Sequence, residues 1–136
     1  MPAWKFYEKE HQRFKQNTLY HIPVINRERI NIFVKAICEK YSLPIPEITH
    51  RGREFHKCFW KQDRINFIRG GSVKLGIICH EMAHYIRHKL HGCHRHNDAL
   101  MNLISELLDF LNQYVMNEGD RLGRKTHSSK ESMNNE

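Results

Sequence analysis

The sequence predicts an α+β domain: an N-terminal helix, three short strands, a histidine-bearing helix and a C-terminal helix packed against it. Three observations predict it. Apolar residues recur at helical spacing in Arg27–Tyr41, in Leu75–Ile86 and in Leu100–Leu111. Between the first two runs lie Glu54–Trp60 and Arg64–Ile68, rich in aromatic and β-branched residues and parted by Lys61-Gln62-Asp63, the pattern of a hairpin. The chain has 136 residues, enough to bury one real core and too few for two domains.

Residues 1–22 mix Trp4, Phe6, Tyr7, Phe14, Leu19 and Tyr20 with many charges. These aromatics are expected to dock as a short helix on the core, with partner binding as the alternative. Pro23 interrupts, and Asn26 is a candidate N-cap. Ile30, Phe33, Val34, Ile37 and Tyr41 then form one apolar stripe of a helix. Pro44 and Pro46 end it, because proline disfavours helical conformation in the residue before it. Residues 45–50 read as the first strand, followed by the two strands of the hairpin.

Gly70-Gly71-Ser72 reads as a loop ending in an N-cap at Ser72, which puts the next helix at Val73 to about Leu90. Gly92 lets the chain turn back. Leu100, Leu103, Ile104, Leu107, Leu108 and Leu111 mark a strongly amphipathic last helix. From 118 to 136 the sequence is polar, with Leu122 and Met133 its only large apolar residues, so a disordered tail is expected after a domain spanning 1–117.

The formal net charge is +7 and the isoelectric point about 9.4, a surface attractive to nucleic acid or acidic partners. The basic residues are scattered, and no nucleic-acid-binding motif accompanies them. No run approaches the ~20 apolar residues of a membrane span. No apolar export segment follows Met1. Cys38, Cys58, Cys79 and Cys93 contain no Cys-x-x-Cys pair, so a disulfide framework is not expected and a reducing, cytoplasmic setting is.

The histidine-bearing helix carries the chemistry. His80-Glu81-Met82-Ala83-His84 matches His-Glu-x-x-His. Two residues four apart lie on one helix face about one turn from each other, so both imidazoles can hold one Zn²⁺ at roughly 2.0–2.1 Å. Glu81 is placed to act as general base on a metal-activated water rather than as a ligand. A histidine-rich solvated face would account for the histidines but not for Glu81 at its fixed offset.

A run of further histidines, His88, His91, His94 and His96, makes a third ligand available. His88 and His91 on an unbroken helix would lie too far along the axis from His80 to share its ion. A ligand class with Gly and His at fixed places after the motif fails here, because Arg87 and Leu90 occupy those places. The class using a Glu further on fails too, with Leu103 there and Glu106 out of register. A third class opens the next helix with a His followed by apolar residues four and seven further on. His96 fits, with Leu100 and Leu103; His91 and His94 do not, although His91 stays the rival if the helix ends before it. Cys93 with His91 and His94 is a minor candidate for a second metal site.

On these residues, Gly76–Leu111 resembles the SprT-like and related small cytoplasmic or phage-encoded zincin metallopeptidases. Their motif is His-Glu-Met/Leu-x-His, a variable loop, then His-Gly/Asn/Ser-x-x-aromatic opening a helix. The resemblance implies a small zincin-like fold, with His80, His84 and His96 as zinc ligands and Glu81 as catalytic base. Leu100 stands where the family has Phe or Trp, and Asn97 rather than Gly follows His96. The resemblance also implies a strand along the cleft whose free edge pairs with an extended substrate, for which Arg64–Ile68 is the candidate. Peptide-bond hydrolysis on a protein or peptide substrate is the expected function; the scattered positive charge reads first as a generally basic surface, with DNA association through it the alternative that the resemblance implies. A zinc-holding binding module without turnover, associated with nucleic acid, is the alternative. Tyr85 and His88 are the nearby candidates for stabilising an oxyanion.

Overall fold

The N-terminal aromatics form a helix, α1 (Ala3–Phe14), whose buried face is Phe6, Glu10 and Phe14 at four-residue spacing. The docking expectation therefore holds for Phe6, Phe14 and Tyr20, while Trp4 and Tyr7 stay exposed. Arg13 ties α1 to the last helix by donating to Asn102 Oδ1 at 2.9 Å. The computed structural model describes residues 2–53, 55–69 and 72–114, which form a mixed α+β fold.

A two-residue strand, β1 (Pro23–Val24), precedes α2 (Arg27–Tyr41). Asn26 caps α2 as expected, its Oδ1 accepting from the Glu28 amide at 2.7 Å. Ser42, in the left-handed region at φ 55°, ends it just before the prolines. The main sheet has the order β2 (Glu47–His50), β4 (Arg64–Phe67), β3 (Lys57–Phe59). β3 and β4 are the expected antiparallel pair, joined through a 3₁₀ turn at Trp60–Gln62, and β2 runs parallel to β4.

That order corrects one expectation. β4 is the central strand, paired on both sides, so it has no free edge to offer a substrate. The edge strand on the side of the motif helix is β3, whose unpaired side has no strand partner among the described residues. β3 is also shorter than expected, leaving Phe55 outside it and exposed.

A second correction concerns the start of the motif helix. Val73 and Lys74 form β5, antiparallel to β1, and α3 runs Leu75–His91. Ser72 caps nothing. The N-cap position is Lys74, without a side-chain cap. The first amides of α3 are satisfied from the chain before β1 instead: Leu75 N–H donates to the Ile22 carbonyl at 2.9 Å and Gly76 N–H to that of Tyr20 at 2.8 Å. Gly92 closes α3 in the left-handed region at φ 63°, as expected of a helix-ending glycine.

The last helix, α4, covers residues 98–114 of the described chain. Asn97 caps it, its Oδ1 accepting from the Leu100 amide at 3.2 Å. The core is built from Ile65 and Phe67 of β4, Ile37 of α2, Ile78, Met82 and Ile86 of α3, and Leu100, Ile104, Leu107 and Leu111 of α4, all essentially fully buried. Each such side chain contributes about 1.5–3 kcal/mol on burial. The expected tail, 118–136, lies outside the described residues. No helix among the described residues is long and apolar enough to cross a membrane.

Candidate metal centre

His80 and His84 stand one turn apart on α3, with ring centroids 4.9 Å apart. The turn at Gly92 returns the chain, and the buried Leu100 on the first turn of α4 seats His96 beside them. The His96 ring lies 4.8 Å from that of His84 and 5.9 Å from that of His80. One donor nitrogen from each imidazole falls within 4.8 Å of the other two. Tetrahedral donors on one zinc are separated by about 3.3 Å given bonds near 2 Å, within reach of a small rotation of the rings. The three histidines can therefore hold a metal ion, and His91 and His94 are not part of the group.

An acid absent from the sequence-based list holds the centre from behind. His80 Nδ1–H donates to Glu10 Oε1 at 2.9 Å, which leaves Nε2 free for an ion. Tyr20 donates its hydroxyl to Glu10 Oε2 at 2.6 Å. Glu10 is 3% exposed, and both its carboxylate oxygens are engaged. Tyr20 stacks on Phe14 at 4.9 Å and 9°, and its ring fills the space a Cβ on Gly76 would need. Phe14, Tyr20 and Gly76 thus position the carboxylate that positions His80.

Protonation states suit a cation. Burial, with His80 and His96 nearby, pushes His84 down to about 3, and burial with His80 lowers His96. Both present neutral imidazoles at neutral pH. The Nε2 atom of His96 is buried with no hydrogen-bond partner, an orphan that a bound ion would satisfy. Burial opposes charge on His80, but the hydrogen bond and charge of Glu10, with Glu81, outweigh it and raise its pKa. Burial raises the Glu81 carboxyl as well, opposed by His80. The donor set and this orphaned nitrogen fit a divalent metal that takes imidazole ligands.

The histidines open onto a cleft in two lobes. One, a cavity of about 320 Å³, is walled by Phe55, Lys57, Cys58 and Trp60 from the side of β3 and by His94 and His96 from the α3–α4 connection. The other, about 260 Å³, is walled by Glu10, His11, Phe14 and Tyr20 from the N-terminal segment with Lys74 and Ile77. Tyr7, His56, His80 and Glu81 line both. Edge strand β3 therefore lies along the cleft through Cys58.

The other candidates go elsewhere. Tyr85 is fully buried, donating its hydroxyl to the Pro44 carbonyl at 2.6 Å, away from the cleft. His88 and His94 pack on Trp60, at 4.8 and 4.3 Å between ring centroids. Cys93 accepts from Arg87 Nη2, and it forms no metal-holding group with His91 and His94 among the described residues. All four cysteines are free, and Cys79 is core packing, as expected of its place before the motif.

No family model, curated protein or solved structure matches this chain. The fold and the site are thus read from its own residues. Glu10 had one signal in the sequence: an acid midway between Phe6 and Phe14 on an otherwise apolar stripe. A buried carboxylate needs a partner, but the stripe does not say which one.

Proposed function

We propose that this protein is a zinc-dependent metallopeptidase of zincin type, similar to the SprT-like enzymes. The observation that carries the reading is the convergence of His80, His84 and His96 beside the buried Glu81, with His80 and Glu81 at the junction of a two-lobed cleft. Three imidazoles with a fourth position open are the ligand set of a catalytic rather than a structural zinc. Zinc held there would polarise a scissile carbonyl and acidify a water.

The chain's own residues supply the rest. Glu81 accepts the proton of the attacking water and passes it to the leaving amine nitrogen. Its burial strengthens it as a base. Glu10 keeps His80 in the tautomer that presents Nε2. The free side of β3 pairs with the extended backbone of a protein or peptide substrate, and the aromatic rings of Phe55 and Trp60 flank the side chains beside the cut. The free thiols support a reducing, cytoplasmic setting. The resemblance to SprT-like enzymes suggests substrates associated with DNA, with which a net charge of +7 is compatible, and such an association should weaken steeply as salt rises.

The test is Glu81→Gln, which keeps the size of the side chain and removes the base. It should retain one zinc per chain and lose cleavage of an unfolded protein substrate. Undiminished cleavage by this variant removes Glu81 from the mechanism. Zinc-loaded wild type that cleaves nothing would leave a binding module in place of an enzyme.

A further inference from the structure

We propose that Tyr7 is a catalytic residue of this site, its phenol donating a hydrogen bond to the oxyanion that forms on the scissile carbonyl. The assignment rests on the peptidase reading above. It starts from the cleft. A peptide occupying both lobes crosses the residues common to them, Tyr7, His56, His80 and Glu81, and the base Glu81 draws the reacting bond to that junction. His80 and Glu81 have their roles as ligand and base, so Tyr7 and His56 are the side-chain donors left at that junction.

The geometry favours Tyr7. Its ring stacks on that of His80 at 5.6 Å and 24°, and lies 5.5 Å from that of His96. It therefore rests on two of the three metal-binding imidazoles. Its position is held from both sides along α1. Phe6 packs against His80 and His96 at 5.9 and 5.1 Å, and Glu10, one turn on, is hydrogen-bonded to His80. A donor fixed in this way needs no reorganisation when charge develops.

Tyr20, Tyr41 and Tyr85 give their hydroxyls to Glu10, Glu106 and the Pro44 carbonyl. Tyr7 makes no such bond among the described residues and is 51% exposed on the cleft. His56, by contrast, is held on the sheet side. Its Nδ1 accepts from the Ile68 amide at 3.1 Å, and its ring packs on Phe67 at 5.8 Å rather than on a ligand.

The electron balance is simple. Water adds to the carbonyl carbon and the C=O π pair moves onto oxygen, where the Tyr7 O–H meets it. When the C–N bond breaks, that pair returns to re-form the carbonyl, and the proton held by Glu81 goes to nitrogen. Tyr7 keeps its own proton throughout.

Tyr7→Phe keeps the ring and its stacking and removes only the hydroxyl. In the zinc-loaded protein it should lower kcat by about 10²-fold, the usual effect of losing one oxyanion donor, with KM little changed. Zinc content and melting temperature should match wild type. A readout free of turnover is the affinity of a phosphinic peptide, whose tetrahedral oxygens mimic the oxyanion. It should fall by a similar factor in Tyr7→Phe, while a plain product peptide of the same sequence binds as to wild type. Unchanged kcat and phosphinic affinity in Tyr7→Phe would overturn the assignment, as would a loss of both confined to His56→Ala. Wild type that binds zinc but neither cleaves peptides nor holds the phosphinic peptide would instead overturn the peptidase reading, and this assignment with it.

Discussion

Glu10→Gln removes one charge from the centre and almost no volume. In the native chain Glu10 accepts from His80 at 2.9 Å and from Tyr20 at 2.6 Å, and it is 3% exposed. Glutamine can replace both bonds, its carbonyl accepting from His80 and its amide donating to the Tyr20 oxygen. The fold should therefore survive. What is lost is the negative charge that raises the basicity of the ligand. Removing an outer-shell partner of this kind typically weakens metal binding about 10–100-fold, or about 1.4–2.7 kcal/mol.

A second effect has the opposite sign. Glu10 keeps the His80 pKa raised, so the variant also loses a proton that competes with metal. Measuring well above the ordinary histidine pKa of about 6.5 makes this offset small. The assay is competition for Zn²⁺ against a chromophoric chelator, with the melting temperature of the apo-protein as control. Glu10→Ala should behave differently, because it orphans two buried polar groups at about 1–3 kcal/mol each and lowers apo stability too. A folded Glu10→Gln protein with wild-type zinc affinity would refute the argument that the charge on Glu10 strengthens His80 as a ligand.

Three further outcomes follow from the same geometry. Wild type should bind about one Zn²⁺ per chain; His80→Ala, His84→Ala and His96→Ala should each lose it, while His91→Ala and His94→Ala keep near-native affinity, and the reverse ranking of His91 and His96 would break the ligand assignment. Gly76→Ala places a methyl 2.2 Å from the Tyr20 ring, so it should destabilise the apo-protein by about 1–3 kcal/mol in urea and weaken zinc binding through Glu10; a neutral effect on both would show that the Phe14–Tyr20–Gly76 packing does not position the site. His84, held near 3 in the fold, takes up a proton only in the unfolded chain between pH 6.5 and 3, so its contribution to apo stability is complete above 6.5 and is lost as the pH falls. The stability difference between wild type and His84→Gln should accordingly shrink across that window, and a difference independent of pH would contradict the lowered pKa.

Much of this protein is local and was legible as such. The apolar stripe of Arg27–Tyr41, the Asn26 cap, the Gly92 stop and the hairpin around Lys61-Gln62-Asp63 each rest on interactions within a few residues, and each is present. The pairing of His80 with His84 is likewise a property of helical pitch. The grouping of His96 with them needed more, because Arg87 to Asn97 could close in several ways. Arg87 selects one by donating to the Asn97 side chain at 2.6 Å and to the Arg95 carbonyl at 3.3 Å, while Leu100 is buried behind.

The failures have the opposite character. Ser72 is a good capping residue, but β1 supplies a partner strand and the chain before it supplies carbonyls, so α3 starts at Leu75. Arg64–Ile68 looked like an edge until β2, from before the hairpin, paired with its other side. Glu10 and Tyr7 reach the histidines across some seventy residues of intervening chain. By itself, the sequence determined what depends on near neighbours: the helical faces, the caps, the turn, and two histidines and an acid on one helix. Only the tertiary structure decided which strand lies at the edge, which third imidazole joins the pair, and which acid and phenol stand behind and above them. The reason is physical: sequence patterns report contacts within a turn or a strand pair, whereas a buried carboxylate finds its partner only when distant segments share one core.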